Sequence, residues 1–209
     1  MGDERPPRRI DVESAPFFLT GDPVADDLLA HDHLAVIIGM LLDQQVPITW
    51  AFRAPSTLRD RWRGPWSVAA MAATPVEHLI ELFCTKPALH RFPAAMARRV
   101  HALCGALVER HQGRVEELWS DGADAATVVG RLRALPGFGD EKTRIYLALL
   151  AKRFAITPEG WREACVPFGD DELRTVADIE SPDSLARVQA WKRAQRAAGR
   201  TKGDRPPTS

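Results

Sequence analysis

The stretch Leu135–Phe154, "LPGFGDEKTRIYLALLAKRF", joins a helix-breaking turn to a long apolar helix. Pro136 prevents a preceding helix from continuing, and Gly137 and Gly139 can take backbone angles that are closed to other residues. The second helix is predicted to begin near Asp140, so that its first N–H groups and the positive end of its dipole lie beside the glycine amides. Such a turn suits an anion, and one phosphate of a nucleic-acid backbone fits it without any reading of base sequence.

Helical signals continue along the rest of the chain. The apolar residues between His33 and Leu42 recur at i, i+3, i+4, i+7 and i+8, which predicts one buried helix face. Thr74-Pro75-Val76-Glu77 has the pattern of a capping box. Further helices are predicted from Asp22-Pro23, from Pro47 to Arg59, from Thr74 to about Phe83, from Pro93 to about His111, from Asp124 to about Ala134, and from Ser181 to Gly199. Residues 155–173 are predicted to be irregular, no alternating strand is found, and the fold class is all-α.

The composition is that of an ordinary globular protein of 209 residues, 45% hydrophobic and 27% charged. It contains 28 basic and 28 acidic residues, so any DNA-binding surface must be local. One candidate is Arg187–Arg205, with seven Lys or Arg against one Asp, which suits either a solubilising tail or phosphate binding. No apolar run has the length of a membrane span, and no secretory signal is recognised, so a cytoplasmic protein without a membrane partner is expected.

The cysteines do not indicate a metal site or a disulfide framework. Cys84, Cys104 and Cys165 are far apart and odd in number, and the histidines show no clear metal-binding pair on a helix. No metal and no iron–sulfur cluster is therefore expected.

Two motifs resemble the helix-hairpin-helix, Gly-Pro-Asp (HhH-GPD) superfamily of DNA base-excision glycosylases. "LPGFGDEKT", Leu135–Thr143, is similar to its hairpin, and "AVIIGMLLDQQVPITWAF", Ala35–Phe52, is similar to its earlier helix with a "QQ" turn. Lys86–Gly113 also resembles a poorly characterised bacterial branch of the superfamily. The resemblance covers roughly Asp22 to Trp161.

The resemblance implies two helical lobes, with the hairpin helix and the QQ turn on opposite sides of a DNA-facing cleft. The expected organisation is an N-terminal extension (1–21), an HhH-GPD-like core (22–161, hairpin 125–153), a C-terminal helical segment (162–199) and a disordered basic tail (200–209). The implied partner is double-stranded DNA with a damaged or mispaired base, bound by a monomer associated with the nucleoid. No cofactor is implied, although the hairpin leaves room for a monovalent cation.

The same resemblance assigns DNA-binding and base-pocket residues. The hairpin would contact DNA through Gly137, Phe138, Gly139 and Lys142, and Gln45 beside Gln44 would fill the gap left by a flipped base. The alternative for the two glutamines is that they only end a helix. Aromatic partners for the base are Trp50, Phe52 and Trp161, and the alternative for each is core packing.

The catalytic positions of the resemblance fall on altered residues. The position of the family's lysine nucleophile falls on Glu141, and Lys142 follows it, which is about 100° further around the helix. Lys142 is therefore a nucleophile, a phosphate contact or a surface charge. The position of the catalytic aspartate falls on Glu159, with Asp170 or Asp171 as alternatives that also suit helix N-caps.

Three functions are consistent with these residues. The first is a monofunctional DNA glycosylase, which would use a carboxylate and water to hydrolyse the N-glycosidic bond. The second is a DNA-binding protein that recognises damage but has lost the chemistry. The third is a helical interaction protein whose hairpin only packs. The coverage of the resemblance favours the first.

Overall fold

A computed structural model describes residues 17–199, which form ten α-helices and two short 3-10 helices without any β-strand in that range. The all-α prediction is confirmed for this part of the chain. The tail at 200–209 and residues 1–16 of the N-terminal extension lie outside the described residues. Within residues 17–199 no helix has the length and apolar character needed to cross a membrane.

The helices follow one another with short connections. They are α1 (Pro23–His31), α2 (His33–Leu42), α3 (Ile48–Arg61), α4 (Val68–Ala73), α5 (Val76–Cys84), α6 (Pro93–His111), α7 (Ala125–Arg133), α8 (Asp140–Phe154), α9 (Trp161–Ala164) and α10 (Pro182–Ala197). The 3-10 helices are Val115–Leu118 and Val176–Asp178. The predicted starts at Asp22, Asp124 and Ser181 are confirmed, since each side chain accepts a hydrogen bond from a backbone N–H of the helix that it begins.

The predicted capping box at Thr74 is wrong. The short helix α4 ends immediately before Thr74, and the Thr74 hydroxyl donates to the Ala70 carbonyl at 2.8 Å. That hydroxyl therefore completes α4, and Pro75 occupies the N-cap of α5 without a side-chain hydrogen bond.

Helix α2 is the centre of the fold. Every residue from Leu34 to Leu42 is buried, so the prediction of a single buried face understated its burial. A helix that is apolar all round must be covered on all sides, and α2 packs against α1, α3, α6, α8 and the 3-10 helix at 115–118. Gly39 makes the contact with α3 possible, because a Cβ there would lie 2.7 Å from the Phe52 ring.

The hairpin between α7 and α8 packs directly on the C-terminal end of α2. Gly137 has φ +85°, and a Cβ on it would lie 2.4 Å from Cδ1 of Leu41. Glycine is thus required there both for the left-handed backbone and for the close approach. Gly139 differs, because its φ is −81° and a Cβ would meet no atom within 4 Å.

The C-terminal segment returns from the far end of α8 to the end of α2. Lys152 near the end of α8 donates to the buried Asp178 carboxylate at 2.5 Å, which fixes the segment before α10. Helix α10 then extends about 24 Å, and Lys192 on it pairs with Asp43 at 3.5 Å, next to the last residue of α2. Both ends of this return path are held by largely buried ion pairs.

We expect Gly137→Ala to destabilise the protein by about 1–3 kcal/mol, because the new methyl group must displace Leu41 and strain a positive-φ backbone. Gly139→Ala is the matched control, and its effect should stay within about 0.5 kcal/mol. Urea unfolding of the three proteins measures both values. Equal stabilities for the two variants would contradict the close packing of the hairpin on α2.

Candidate nucleic-acid interface

The QQ turn and the hairpin line one open cleft, although they are about ninety residues apart in sequence. The cleft has a volume of about 410 Å³ and is lined by Met40, Asp43, Gln44, Gly137, Gly139, Asp140, Glu141, Lys142 and Ile145. The two motifs that the sequence analysis singled out thus meet at one place.

Lys142 reaches across from α8 to the end of α2. Its Nζ donates to the Leu41 carbonyl oxygen at 2.8 Å, and the residue is half-buried. An ammonium group at a helix C-terminus is favoured by the helix dipole and by the charge-assisted hydrogen bond. The observed contact gives Lys142 a structural role at the wall of the cleft.

Gln44 is held on both ends of its amide. Its Nε2 donates to the Leu41 carbonyl at 2.8 Å, and its Oε1 accepts from Arg99 at 2.7 Å. The Gln44 carbonyl accepts from Nε2 of the buried His90 at 3.0 Å, while Nδ1 of that ring accepts from the Phe92 N–H at 3.0 Å. His90 is therefore neutral with its proton on Nε2, and it fixes the backbone of the turn.

Gln45 is the exposed member of the pair. Its φ is +57°, a left-handed conformation that few non-glycine residues adopt and that costs about 1–3 kcal/mol. The contacts of Gln44 and His90 on the preceding residue hold the turn in this conformation. An exposed amide side chain is consequently presented on a rigid and strained support.

The hairpin exposes backbone but not its aromatic ring. Gly137 and Gly139 are exposed, whereas Phe138 is buried and packs edge-on against Tyr146 at 5.7 Å. The Phe138 N–H donates to the Leu135 carbonyl, so a contact of Phe138 with DNA would have to use its remaining backbone atoms. No side chain caps the start of α8.

Acidic side chains surround the start of α8. Asp140 and Glu141 are exposed in its first turn, and Asp140 pairs with Arg133 at 2.9 Å. Carboxylates stabilise a helix N-terminus, but they also repel a phosphate that approaches the same amides. The hairpin side of the cleft is therefore electrostatically unfavourable for a polyanion except through the glycine backbone.

Glu159 does not share a site with Lys142. Lys142 lies in the first turn of α8, while Glu159 lies beyond its last residue, and the helix is about 22 Å long. The Glu159 side chain is exposed, and its carbonyl accepts from the Ala125 N–H at 2.9 Å, next to the start of α7. Glu159 therefore does not line the cleft that Lys142 lines.

Asp170 and Asp171 do not cap a helix. Asp170 pairs with Arg174 at 2.8 Å, and the next 3-10 helix is capped by Thr175. Asp178, which the sequence analysis did not single out, is the buried carboxylate of this region and accepts from the Thr175 backbone and hydroxyl. In the sequence, only the spacing of Thr175 and Asp178, which is that of a capping box with Asp in place of Glu, indicates this role.

The candidate aromatic residues have separate surroundings. Phe52 is fully buried against α2, so its assignment as a stacking partner for a base is wrong. Trp50 is 40% exposed and donates to the Ala88 carbonyl at 3.3 Å. Trp161 is half-buried against the core, with the Arg162 guanidinium 4.6 Å from its ring centroid. Trp50 alone lies near the QQ turn, 6.4 Å from the His90 ring between centroids.

Two residues near the turn were missed at the level of sequence. Asp43 is buried at the end of α2 and lines the cleft, where its partner is Lys192 of α10. Asp43 lies within the QQ motif and Lys192 within the basic C-terminal stretch, but nothing in the sequence indicates that they pair, because the pairing depends on the return of α10. Among the described residues, no group of three or more His, Cys, Asp or Glu side chains is arranged to hold a metal ion.

We expect acid to destabilise the protein through His90. Burial lowers the pKa of His90 below its usual range, and the positive charges of Lys142 and Arg99 lower it further. The unfolded chain then binds a proton that the folded protein does not, so stability is complete above about pH 6.5 and falls as the pH drops toward the lowered pKa.

Urea unfolding between pH 7.5 and 5.5 measures this loss. His90→Gln should make the stability less dependent on pH. His111→Gln is the control: burial also lowers the pKa of His111, so this variant removes the contribution of that histidine and leaves the contribution of His90. A variant at position 90 with the full pH dependence of the unmodified protein would disprove the assignment.

Comparisons with known proteins do not add a relative. No protein-family model, no curated protein and no solved structure matches this chain.

Proposed function

We propose that this protein is a DNA-repair protein of the HhH-GPD kind, a monofunctional DNA glycosylase that flips a damaged or mispaired base and hydrolyses its N-glycosidic bond. The observation that carries the proposal is the cleft of about 410 Å³ between the QQ turn and the glycine hairpin. These two motifs carry the resemblance to the superfamily, and packing brings them together. The two-lobed architecture of that superfamily is part of the proposal.

Gln45 is the group proposed to fill the gap in the base stack. Flipping a base costs a few kcal/mol, and an enzyme recovers part of this by filling the space that the base leaves. Gln45 is exposed at the tip of the turn, while the amide of Gln44 is already engaged with Leu41 and Arg99. A rigid support reduces the entropy that must be lost when the side chain inserts.

The hairpin is proposed to hold one phosphate through the amides of Gly137, Gly139 and the first turn of α8. The lack of a side-chain cap leaves these amides available, and both glycines are exposed. Lys142 is proposed to support the wall of the cleft through Leu41 rather than to attack the sugar. A lysine in that role is consistent with hydrolysis by water and with no lyase step.

Asp43 is the carboxylate that the geometry favours for the chemistry. A carboxylate must lie near the flipped nucleotide to stabilise the positive charge that develops on the sugar. Asp43 lines the cleft and is buried, whereas Glu159 is exposed beside the start of α7 and does not line the cleft. Asp140 and Glu141 also line the cleft but are exposed, so we assign the catalytic carboxylate to the buried Asp43 within this proposal.

A second function is DNA binding at damaged sites without excision. It is favoured by one observation, namely that Lys142 and Asp43 in the cleft wall already have structural partners. Lys142 donates to Leu41, and Asp43 pairs with Lys192. Excision assays on a panel of damaged bases separate the two functions.

We expect the protein to bind a duplex that holds one stable abasic-site analogue more tightly than the same duplex undamaged, at fixed salt. Gln45→Ala should reduce this preference about tenfold, which corresponds to ~1.4 kcal/mol. Gln112→Ala is a matched control, because Gln112 is also an exposed glutamine with a positive φ, +53°. Equal affinity for the two duplexes would eliminate the proposed recognition of flipped bases.

We expect Asp43→Asn to abolish single-turnover excision of the preferred base, while Glu159→Gln retains it. Both changes replace a carboxylate by its amide, and only Asp43 lines the cleft. Thermal unfolding checks that Asp43→Asn is folded despite the loss of its ion pair with Lys192. An inactive Glu159→Gln beside an active Asp43→Asn would reverse the assignment, and a borohydride-trapped DNA adduct would overturn the monofunctional mechanism.

A further inference from the structure

A second pocket lies on the other side of the QQ turn. It has a volume of about 550 Å³, and its walls are Gln45 with the start of α3, Arg91 from the segment before α6, and the last two turns of α10. Gln45 lines this pocket, whereas its neighbour Gln44 lines the hairpin cleft.

The pocket is strongly basic. Arg91, Lys192, Arg193 and Arg196 line it, and none of the described residues lining it is acidic. Lys192 and Arg196 are four residues apart and Arg193 and Arg196 three apart, so the α10 cations project from one side of the helix. Lys192 is buried and paired with Asp43, whereas all three arginine side chains are exposed.

The start of α3 adds to the positive potential. Pro47 at its N-cap makes no side-chain hydrogen bond, and the first turn of this 14-residue helix contains no acidic residue. Pro47, Ile48 and Thr49 line the pocket beside the four cations. The helix dipole and the guanidinium groups thus favour the same anion.

The distribution of charge across the turn is uneven. The hairpin cleft is lined by Asp43, Asp140 and Glu141 against the single cation Lys142, whereas the second pocket carries only cations. Because the whole chain has equal numbers of basic and acidic residues, this concentration does not follow from a generally basic protein. A polyanion beside Gln45 is attracted to the α10 side.

We propose that this pocket binds the phosphodiester backbone of the DNA strand that passes Gln45, through Arg91, Arg193 and Arg196. The inference rests on the proposed function. Because the hairpin side of the turn is acidic, it assigns the binding of the strand to the basic pocket. Exposed guanidinium groups suit this ligand, since each can donate two parallel hydrogen bonds to phosphate oxygens. The basic C-terminal stretch of the sequence then contributes to DNA binding through α10.

Binding of an undamaged duplex and of the abasic duplex, each measured over a range of salt concentrations, tests this assignment. Each lost phosphate contact lowers the slope of log affinity against log salt by about 0.9 for B-DNA. We expect Arg193→Gln and Arg196→Gln each to reduce the slope by about one and to weaken binding several-fold on both duplexes, leaving the preference for the abasic site intact. Arg196→Lys should recover most of the slope.

Arg187→Gln is the matched control, because it removes one exposed arginine from the same helix at a position outside the pocket. The assignment would be overturned if the pocket variants had the same slope as the control. It would also be overturned if the unmodified protein did not bind DNA. Pyrophosphate that binds the unmodified protein without being displaced by duplex DNA would also overturn it, in favour of a small phosphate ligand. A reduced slope without any abasic preference would support the pocket and reject the proposed function. An abasic preference with an unchanged slope would support the proposed function and reject the pocket.

Discussion

The carbonyl oxygen of Leu41, at the end of α2, accepts hydrogen bonds from the Lys142 ammonium and from the Gln44 amide, each at 2.8 Å. This double cap joins the hairpin helix to the QQ turn at the negative end of a fully buried helix. The approach is only possible because Gly137 brings no side chain against Leu41. This contact places the hairpin helix and the QQ turn side by side at the cleft.

The cap also explains why the turn can hold a strained residue. A glutamine at φ +57° persists only where its neighbours determine the backbone on both sides. On one side Gln44 is bound through both ends of its amide and His90 holds its carbonyl, and on the other side Pro47 begins α3. The strain at this exposed position is therefore imposed by the residues around Gln45.

Local patterns were sufficient to predict most helices, because an aspartate or serine cap acts within one turn. Asp22, Asp124 and Ser181 begin helices as expected. The error at Thr74 arose because the preceding helix competes for the same hydroxyl. That α2 would be buried all round could have been inferred from its unbroken apolar sequence, which is typical of a central helix.

The candidate site was less predictable, because its charged residues meet through contacts between distant segments. Gln45 and the hairpin glycines belong to motifs that can be recognised along the chain. The pairing of Asp43 with Lys192 cannot be recognised in this way, because it depends on the path of α10. The count along the sequence places Glu159 after α8 but does not show which residues surround it, and the structure places its carbonyl beside the start of α7.

Two ion pairs determine where α10 lies, and this has a consequence for the charge of the site. Lys152 with Asp178 fixes the start of the return segment, and Asp43 with Lys192 fixes its far end. Buried ion pairs add little net stability because desolvation offsets their attraction, yet breaking one leaves an unpaired buried charge at a cost of about 3–5 kcal/mol. They therefore specify position more than they stabilise. In the second pair, Asp43 neutralises the charge of Lys192. The cations of α10 that remain available beside Gln45 are therefore the exposed Arg193 and Arg196. The acidic and basic sides of the QQ turn are in this way separated by a single neutralised pair.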